Sequence, residues 1–366
     1  MTSATNLPSA GLLTVNLDAL ARNYRLLKKT AAPAECGAVV KANAYGLGVE
    51  PVATCLFDEG CRHFFVATVE EGLELRAHIA SAAIYVMIGA QAGEERTLRD
   101  ADLIPVLNSY EQIERWIELG DAKRFPVIVH IDTGMTRLGL DTREADRLAH
   151  DARASNELEI SYLMTHLACA DEPAHPFNRE QVDRFERFCR QLPAAKTSIG
   201  NSAGLLTAEA YRGDLVRPGI ALYGGNPFAA APNPMEVVVT LQAPVLQVWD
   251  VTTATPVGYG ATHRTDASAR LATVGVGYAD GIPRSLGNSG EAYLGNVRVP
   301  IVGHVSMDLL TMDVSAVAGQ HVHPGACVEL IGKNILLDEA ARTAGTIGYE
   351  LLTGFGARWE RRYVRD

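Results

Sequence analysis

The stretch LIPVLNSYEQIERWIELGDAKRFPVIVHI (103–131) decides how this chain is read. It opens on a short apolar run, Leu103–Leu107, continues through YEQIERWIEL (Tyr110–Leu119), whose Trp116 and Ile117 suit an inward helical face, and closes on a second apolar run, Val127–Ile131. Strand, helix and strand in that order form a βα unit. The alternation runs from about Cys36 to Tyr223, with further candidate strands at Cys36–Lys41, Phe64–Thr68, Ala83–Ile88, Ile160–Thr165, Thr197–Gly200 and Gly219–Leu222. Arg143–Asp151 and Gln181–Leu192, with Phe185 facing inward, supply further amphipathic stretches. Eight strands with helices between them predict an α/β fold, a parallel (β/α)8 barrel of TIM type, with a doubly wound open sheet as its competitor.

After Gly224 the texture changes. A loop rich in Pro, Asn and Ala, Asn226–Pro234, gives way to β-branched runs broken by Gly and Pro. Val245–Thr252, Leu271–Tyr278, Val297–Val302, Leu309–Val314 and Cys327–Ile331 predict a mostly antiparallel β domain with one helix near Leu337–Ala344. The domains expected are therefore a barrel over 11–234 and a smaller β-rich domain over 235–366, with residues 1–17 candidates for association with the latter.

Composition narrows the function classes. Of 366 residues, 47% are hydrophobic and 21% charged, which is ordinary for a folded globular protein. A net charge of -10 offers no general basic surface for nucleic acid. Arg358, Arg361, Arg362 and Arg365 read as a solvated terminal strand or helix. The six cysteines form no CxxC pair, the N-terminus lacks a leader pattern, and no apolar run reaches membrane-spanning length. A reduced protein of the cytoplasm, off the membrane, is expected.

In a barrel of this kind, functional side chains sit where strands end and the following loops begin. Lys41 follows GAVV, Arg137 follows VIVHIDTGMT, His166 follows ISYLMT, Asn201 and Ser202 follow TSIG, and Arg217 stands just before the candidate eighth strand. A lysine ending a buried strand is costly as an ammonium unless it is paired or used covalently, as in a Schiff base with an aldehyde cofactor. Taken alone, Lys41 reads as a strand-end lysine snorkelling to water. The other strand ends tip the balance. Phosphorylated ligands of such barrels lie between the loops of strands seven and eight, which here carry Asn201-Ser202 and Arg217-Pro218-Gly219-Ile220.

At these residues the sequence resembles the alanine racemase family, over nearly its whole length. AVVKANAYGLG (Ala38–Gly48) is similar to that family's cofactor-lysine segment. DTGMTRLG (Asp132–Gly139), THLACADE (Thr165–Glu172), GNSAG (Gly200–Gly204), VRPGIALYG (Val216–Gly224), GYGATH (Gly258–His263), GYADG (Gly277–Gly281), GHVSMD (Gly303–Asp308) and GYE (Gly348–Glu350) follow in the family's order.

The resemblance implies a pyridoxal 5'-phosphate enzyme of fold type III that interconverts L- and D-alanine, supplying D-alanine for peptidoglycan or catabolising it. It implies a head-to-tail homodimer, each active site combining the barrel of one subunit with the β domain of the other. Lys41 would carry the cofactor as a Schiff base and act on the D-face of the substrate, and Tyr259 of the partner on the L-face. Tyr45, Asn201, Ser202, the backbone of Gly219 and Ile220, and Tyr349 would surround the phosphate. Arg137 would contact the cofactor's phenolic oxygen and the substrate carboxylate, and Met307 would offer its N–H to that carboxylate. Tyr278 would shape the entrance, while Arg284 near the cleft serves packing or gating.

A tyrosine, with an ordinary pKa of about 10, needs its phenolate stabilised to act as a base near neutrality. A chain Tyr259–His166–Arg217 would do so. An arginine facing the pyridine nitrogen only donates, which would leave that nitrogen unprotonated and suppress side reactions such as transamination. Singly, His166 reads as a core histidine and Tyr259 as packing in a Gly-rich turn.

One departure concerns His130, where many family members carry a lysine, often carbamylated, that fixes the arginine. Neutral imidazole accepts only one hydrogen bond. A small anion such as chloride, or an ordered water, is expected beside Arg137. Ser306, where some relatives have Cys, is a milder change. No metal is assigned: His321 and His323 alternate as on a strand, but no third ligand lies near and Pro324-Gly325 signals a turn. Two other readings stand beside racemisation of alanine. One is a racemase for serine or a broader range of amino acids, set by the space around Tyr278, Tyr349 and the loop before Met307. The other is a non-catalytic pyridoxal-phosphate carrier, which would need neither Tyr259 nor a carboxylate site at Arg137.

Overall fold

In the computed structural model, which describes residues 11–228 and 230–365, the alternation read from sequence becomes a ring of parallel strands. Strand β1 (Leu12–Asn16) belongs to the C-terminal sheet. The first barrel strand is divided at Gly37 into β2 (Glu35–Cys36) and β3 (Ala38–Val39). Then come β4 (His63–Val66), β5 (Ala83–Val86), β6 (Ile104–Leu107), β7 (Pro126–His130), β8 (Glu159–Met164) and β9 (Lys196–Ser198), each parallel to the one before. Their side chains are buried on both faces, as Phe64, Phe65 and Val66 at 0% exposure illustrate, which is why these strands are continuous apolar runs. The helix Tyr110–Ile117 is typical of the outer layer. Ser109 caps it by accepting from the Gln112 N–H, and it buries Tyr110, Ile113, Trp116 and Ile117 along one stripe.

The eighth strand is not where the apolar run Gly219–Leu222 put it. It is β10 (Leu215–Val216), which pairs with β2 in parallel and closes the ring. The ladder continues as the Gly37 and Val39 N–H groups donate to the carbonyls of Val216 and Pro218, both at 2.9 Å. It ends there because Pro218 has no N–H to give. Beyond it, Gly219–Leu222 is a turn, with the Leu222 N–H bonded to the Gly219 carbonyl at 2.9 Å. Arg217 therefore follows the eighth strand instead of preceding it.

The second unit is built on β11 (Val239–Val251). With β12 (Pro256–Val257), β13 (His263–Arg264), β14 (Ala269–Val274), β15 (Glu291–Leu294), β16 (Val297–Pro300), β17 (Leu310–Asp313), β18 (Cys327–Ile331) and β19 (Glu360–Val364) it forms an antiparallel system. Its main sheet runs β16-β15-β18-β11-β1-β19, and β14 and β17 continue from β11. The exception is β1, which lies antiparallel to β11 but parallel to β19. Leu12–Asn16 thus belong to this sheet, and the barrel unit begins at Leu20. Val257, Leu271 and Val302 pack together in its interior. The helix Leu337–Thr343 is present, and a second one, Gly348–Gly354, was not foreseen. Among the described residues no helix is long and apolar enough to cross a membrane.

Candidate active site

Lys41 ends the first barrel strand, and the backbone after it is unusual. Ala42, Asn43, Ala44 and Tyr45 have φ of 52°, 53°, 53° and 56°, a full left-handed turn. For L-residues each such conformation costs about 1–2 kcal/mol. Local hydrogen bonds hold the turn together: Ala44 N–H to the Val40 carbonyl and Gly46 N–H to the Ala42 carbonyl, both at 2.8 Å. Asn43 Oδ1 accepts from the Val49 N–H at 2.7 Å, and a carboxylate oxygen of Glu71 accepts from the Ala42 N–H at 2.7 Å. The Lys41 amine is pushed below the usual lysine range by burial first and by the Arg137 charge second, while Glu71 opposes both. Its position favours the neutral, nucleophilic amine.

The turn aims Tyr45 at the loop after the eighth strand. A Cβ on Gly219 would lie 2.3 Å from the Tyr45 hydroxyl, so glycine is required there for close approach. Ser202 Oγ accepts the Gly219 N–H at 2.9 Å and the Ala221 N–H at 3.4 Å, which leaves its own proton free to donate. Ile220 is buried beside them. Asn201 is the N-cap of the helix Ser202–Thr207, its Oδ1 accepting from the Gly204 N–H at 2.9 Å. Hydroxyls and N–H groups converging on a glycine form a donor-rich cradle of the kind that holds a phosphate.

Arg217 is 3% exposed, and both of its terminal nitrogens are engaged. It donates to Ser198 Oγ at 2.6 Å, to the carbonyls of Thr165 and Ile199 at 2.7 and 3.2 Å, and to His166 Nδ1 at 3.3 Å. Burial pushes its pKa down to about 9, still a cation at neutrality. His166 is held well below the usual histidine range by burial and by the charges of Arg217, Arg137 and Lys41. A neutral imidazole that accepts at Nδ1 carries its proton on Nε2. The Arg217–His166 half of the expected chain is therefore present in the barrel unit, with its outward end a donor.

Arg137 stands exposed on a loop pinched at its base, where Ile131 bridges Leu140 and the Leu140 N–H donates to the His130 carbonyl at 2.8 Å. His130 beneath it is 8% exposed. Its tautomer follows from Asn108, whose Nδ2 donates to the Met87 and Val106 carbonyls at 3.0 and 2.7 Å. Asn108 Oδ1 must then accept from His130 Nδ1 at 2.8 Å. Nε2 is left as a lone pair, which suits a donor such as water or a guanidinium N–H and repels chloride. Of the two occupants expected beside Arg137, an ordered water suits this lone pair, whereas a small anion would be held by Arg137 alone.

Burial, then the charge of Arg217, lowers the His130 pKa from 6.5 to about 3, with Arg137 adding to the effect and Asp132 opposing it. Because the unfolded chain takes up this proton first, the stability it confers is complete above pH 6.5 and is lost as pH falls towards 3. The full span is worth roughly 4–5 kcal/mol. Replacing His130 by Asn should flatten the fall in urea-unfolding stability between pH 6.5 and 4; an unchanged slope would contradict the assignment.

Sequence reasoning missed several residues that hold these loops. Gln181, fully buried, donates to Thr133 Oγ1 and to the His166 carbonyl, both at 3.0 Å, and accepts from the Ala168 N–H at 2.8 Å. Thr165 donates to the Ile131 carbonyl at 2.9 Å, so Thr133 is the donor in their 2.8 Å contact. Gln181 lies outside every motif quoted above, and Thr133 and Thr165, inside two of them, carry no mark of their pairing. Only burial of a polar side chain marks them, and burial is a tertiary property.

In the β unit, Tyr259 lies at the tip of the β12–β13 hairpin, flanked by Gly258 and Gly260 at φ of 69° and 71°. It is 74% exposed. The neighbouring turn is tied down by Asn288, which donates to Thr262 Oγ1 at 3.1 Å and accepts from the Gly303 N–H at 2.6 Å. Tyr278 and Met307 sit side by side, since the Tyr278 N–H donates to the Ser306 carbonyl at 3.0 Å and the Ala279 N–H to the Met307 carbonyl at 2.9 Å. Ser306 Oγ closes its own turn onto the Leu309 carbonyl at 2.7 Å. Tyr349 and Met307 are also exposed, at 40% and 54%. Arg284 opens the short turn Arg284–Leu286.

Arg358, read from sequence as solvated, tethers these loops instead, with nitrogens 2.8 Å from Asp280 and 2.7 Å from Asp308. His321 ends a 3-10 turn and His323 Nδ1 faces the Pro324 carbonyl at 2.9 Å, so they do not alternate on a strand. Among the described residues no cluster of three metal-ligating side chains occurs.

Comparison with known proteins gives the family. Residues 15–227 match the description "Alanine racemase, N-terminal domain" and residues 238–363 match "Alanine racemase, C-terminal domain". The chain belongs to the alanine racemase family. An alanine racemase of Rhodospirillum rubrum is 47% identical over 97% of this chain and 96% of its own length. A catabolic alanine racemase of Rhizobium johnstonii is 45% identical over 97% of this chain and 95% of its own. The crystal structure of alanine racemase from Bartonella henselae with covalently bound pyridoxal phosphate superposes with a TM-score of 0.93 at 40% identity, covering 98% of this chain and 100% of that one.

Proposed function

We propose that this protein is a pyridoxal 5'-phosphate-dependent isomerase that interconverts L- and D-alanine. The observation that carries the reading is the convergence at one barrel end of an amine held below its usual pKa, a phosphate-type cradle and a donor-only arginine. These groups fit the cofactor. Lys41 would supply the nucleophile for its aldehyde, the hydroxyls of Tyr45 and Ser202 and the Ile220 N–H would donate to its phosphate, the Gly219 N–H would join them on leaving Ser202 Oγ, and Arg217 would donate to its ring nitrogen. Asn201 orders that cradle from its capping position, and Tyr349 is assigned to the same phosphate. When bound, the cofactor withdraws electrons from the substrate α-carbon and so loosens its hydrogen.

The protein's own part is to handle one proton at that carbon from two sides. Lys41 Nζ takes or returns it on the D-face, and the hydroxyl of Tyr259 of the partner subunit does so on the L-face. His166 Nε2–H donates to that phenol oxygen, while Arg217 holds the imidazole in the required tautomer. Arg137 and the Met307 N–H bind the substrate carboxylate, and Tyr278 borders the entrance.

A homodimer with shared sites is supported by Tyr259, Tyr278 and Met307, large side chains left 44–74% exposed on the β unit. The barrel through 234 and the β-rich remainder are proposed as the two functional domains, with the opening segment on the second. The six cysteines, all free thiols, support a cytoplasmic location.

The direct test is to incubate the purified protein with each L-amino acid and follow loss of optical activity. Alanine should be converted fastest, and absence of conversion with added cofactor would overturn the reading. A narrower test is Gly219→Ala. Its methyl must displace the Tyr45 hydroxyl, so cofactor binding should weaken by roughly 10-fold or more. Equilibrium titration that finds unchanged affinity would remove Gly219 from the cradle.

A further inference from the structure

We propose that Glu71 is a positioning residue whose carboxylate latches the left-handed turn after Lys41, fixing the lysine amine and the Tyr45 hydroxyl at once. The inference deepens the reading above and rests on it. Glu71 lies in the helix Val69–His78, after the second barrel strand, and takes no part in the cradle or in proton transfer. One carboxylate oxygen accepts from the Ala42 N–H at 2.7 Å and the other from the Ala67 N–H at 2.7 Å. Ala42 is the first left-handed residue after Lys41, and Ala67 follows β4. A single side chain therefore ties the ends of two adjacent strands.

The location matters because the turn works against its own conformational preference. Four successive residues, none of them glycine, hold φ between 52° and 56°, and such a run does not persist without outside support. Its two ends carry the chemistry. Lys41 precedes the first of the four, and Tyr45 is the last, its hydroxyl packed against Gly219. A carboxylate presents an acceptor oxygen on both arms and no donor, whereas an amide in its place turns one acceptor into an NH2 group facing an N–H. The same negative charge opposes burial and Arg137 in setting the Lys41 amine.

The test uses the holoenzyme with Glu71→Gln and Glu71→Ala. Amide hydrogen exchange over 41–48 should speed up by about 10-fold or more in both variants, as expected when a charge-assisted bond of this kind is lost. Exchange in the helix Tyr110–Ile117 should stay as in the parent. Cofactor should be lost faster on gel filtration, read by visible absorbance. In Glu71→Gln, which keeps shape and removes charge, the limb of the pH–kcat profile set by the Lys41 amine should move to lower pH, because the Glu71 charge that opposes burial and Arg137 is gone.

Unchanged exchange over 41–48 would overturn the proposal. So would exchange raised equally throughout the chain, which would mark a merely structural residue, or an unmoved pH limb in Glu71→Gln. Failure of the wider reading appears separately: if Lys41→Ala retains turnover, the site assignment is wrong whatever Glu71 does.

Discussion

Replacing Lys41 by Ala is expected to abolish racemisation in both directions and to remove the visible absorbance of the purified protein. The loss in kcat should be at least about 10⁴-fold, because one substitution deletes the nucleophile that captures the cofactor and an acid/base group, each worth orders of magnitude. The position makes substitution by a neighbour implausible. Lys41 is the residue at the strand end, and the buried cations near it, Arg217 above all, are committed to carbonyl and hydroxyl acceptors and carry no free amine. Stability should change little, since the lysine leaves a partly buried site where its charge was disfavoured. Retained absorbance at the parent's wavelength would show that another amine binds the cofactor.

Tyr259→Phe should separate proton transfer on the two faces of the substrate. The variant keeps Lys41 and the cradle, so it should hold cofactor as the parent does, yet conversion starting from L-alanine should fall by about 10²–10⁴-fold, the usual worth of a positioned acid/base. Exchange of the α-hydrogen of D-alanine with solvent deuterium should survive, because that face is served by Lys41. The fold should be indifferent to the change, as the phenol is 74% exposed at a hairpin tip and packs against little in its own chain. Equal loss of deuterium exchange from both enantiomers would argue for one base serving both faces, and unchanged L-to-D conversion would free Tyr259 of any role.

Much of this was legible before any coordinates. Alternating apolar runs and amphipathic stretches such as 103–131 encode a parallel barrel because strands buried on both faces and helices buried on one leave different periods in the sequence. Strand ends then named Lys41, His166 and Ser202, since a barrel displays chemistry at one rim. The last strand was misplaced for a physical reason. Gly219–Leu222 is as apolar as a strand, but Pro218 cuts the ladder and the Gly219 N–H turns to Ser202. β1, within the 11–234 range yet also among residues 1–17 expected to associate with the second domain, joined that domain by pairing with β11 and β19.

Local pattern by itself determined the order of elements, the barrel followed by a β-rich domain, and the ordered motifs that mark the family, for these depend on neighbours within a few residues along the chain. Tertiary structure alone decided the left-handed turn clasped by Glu71, the His130 tautomer dictated by Asn108, the Thr133–Thr165–Gln181 chain and the tether from Arg358 to Asp280 and Asp308. Each joins groups far apart in sequence. Its sign and strength come from burial and from which partner a donor meets, and neither exists until the chain has folded.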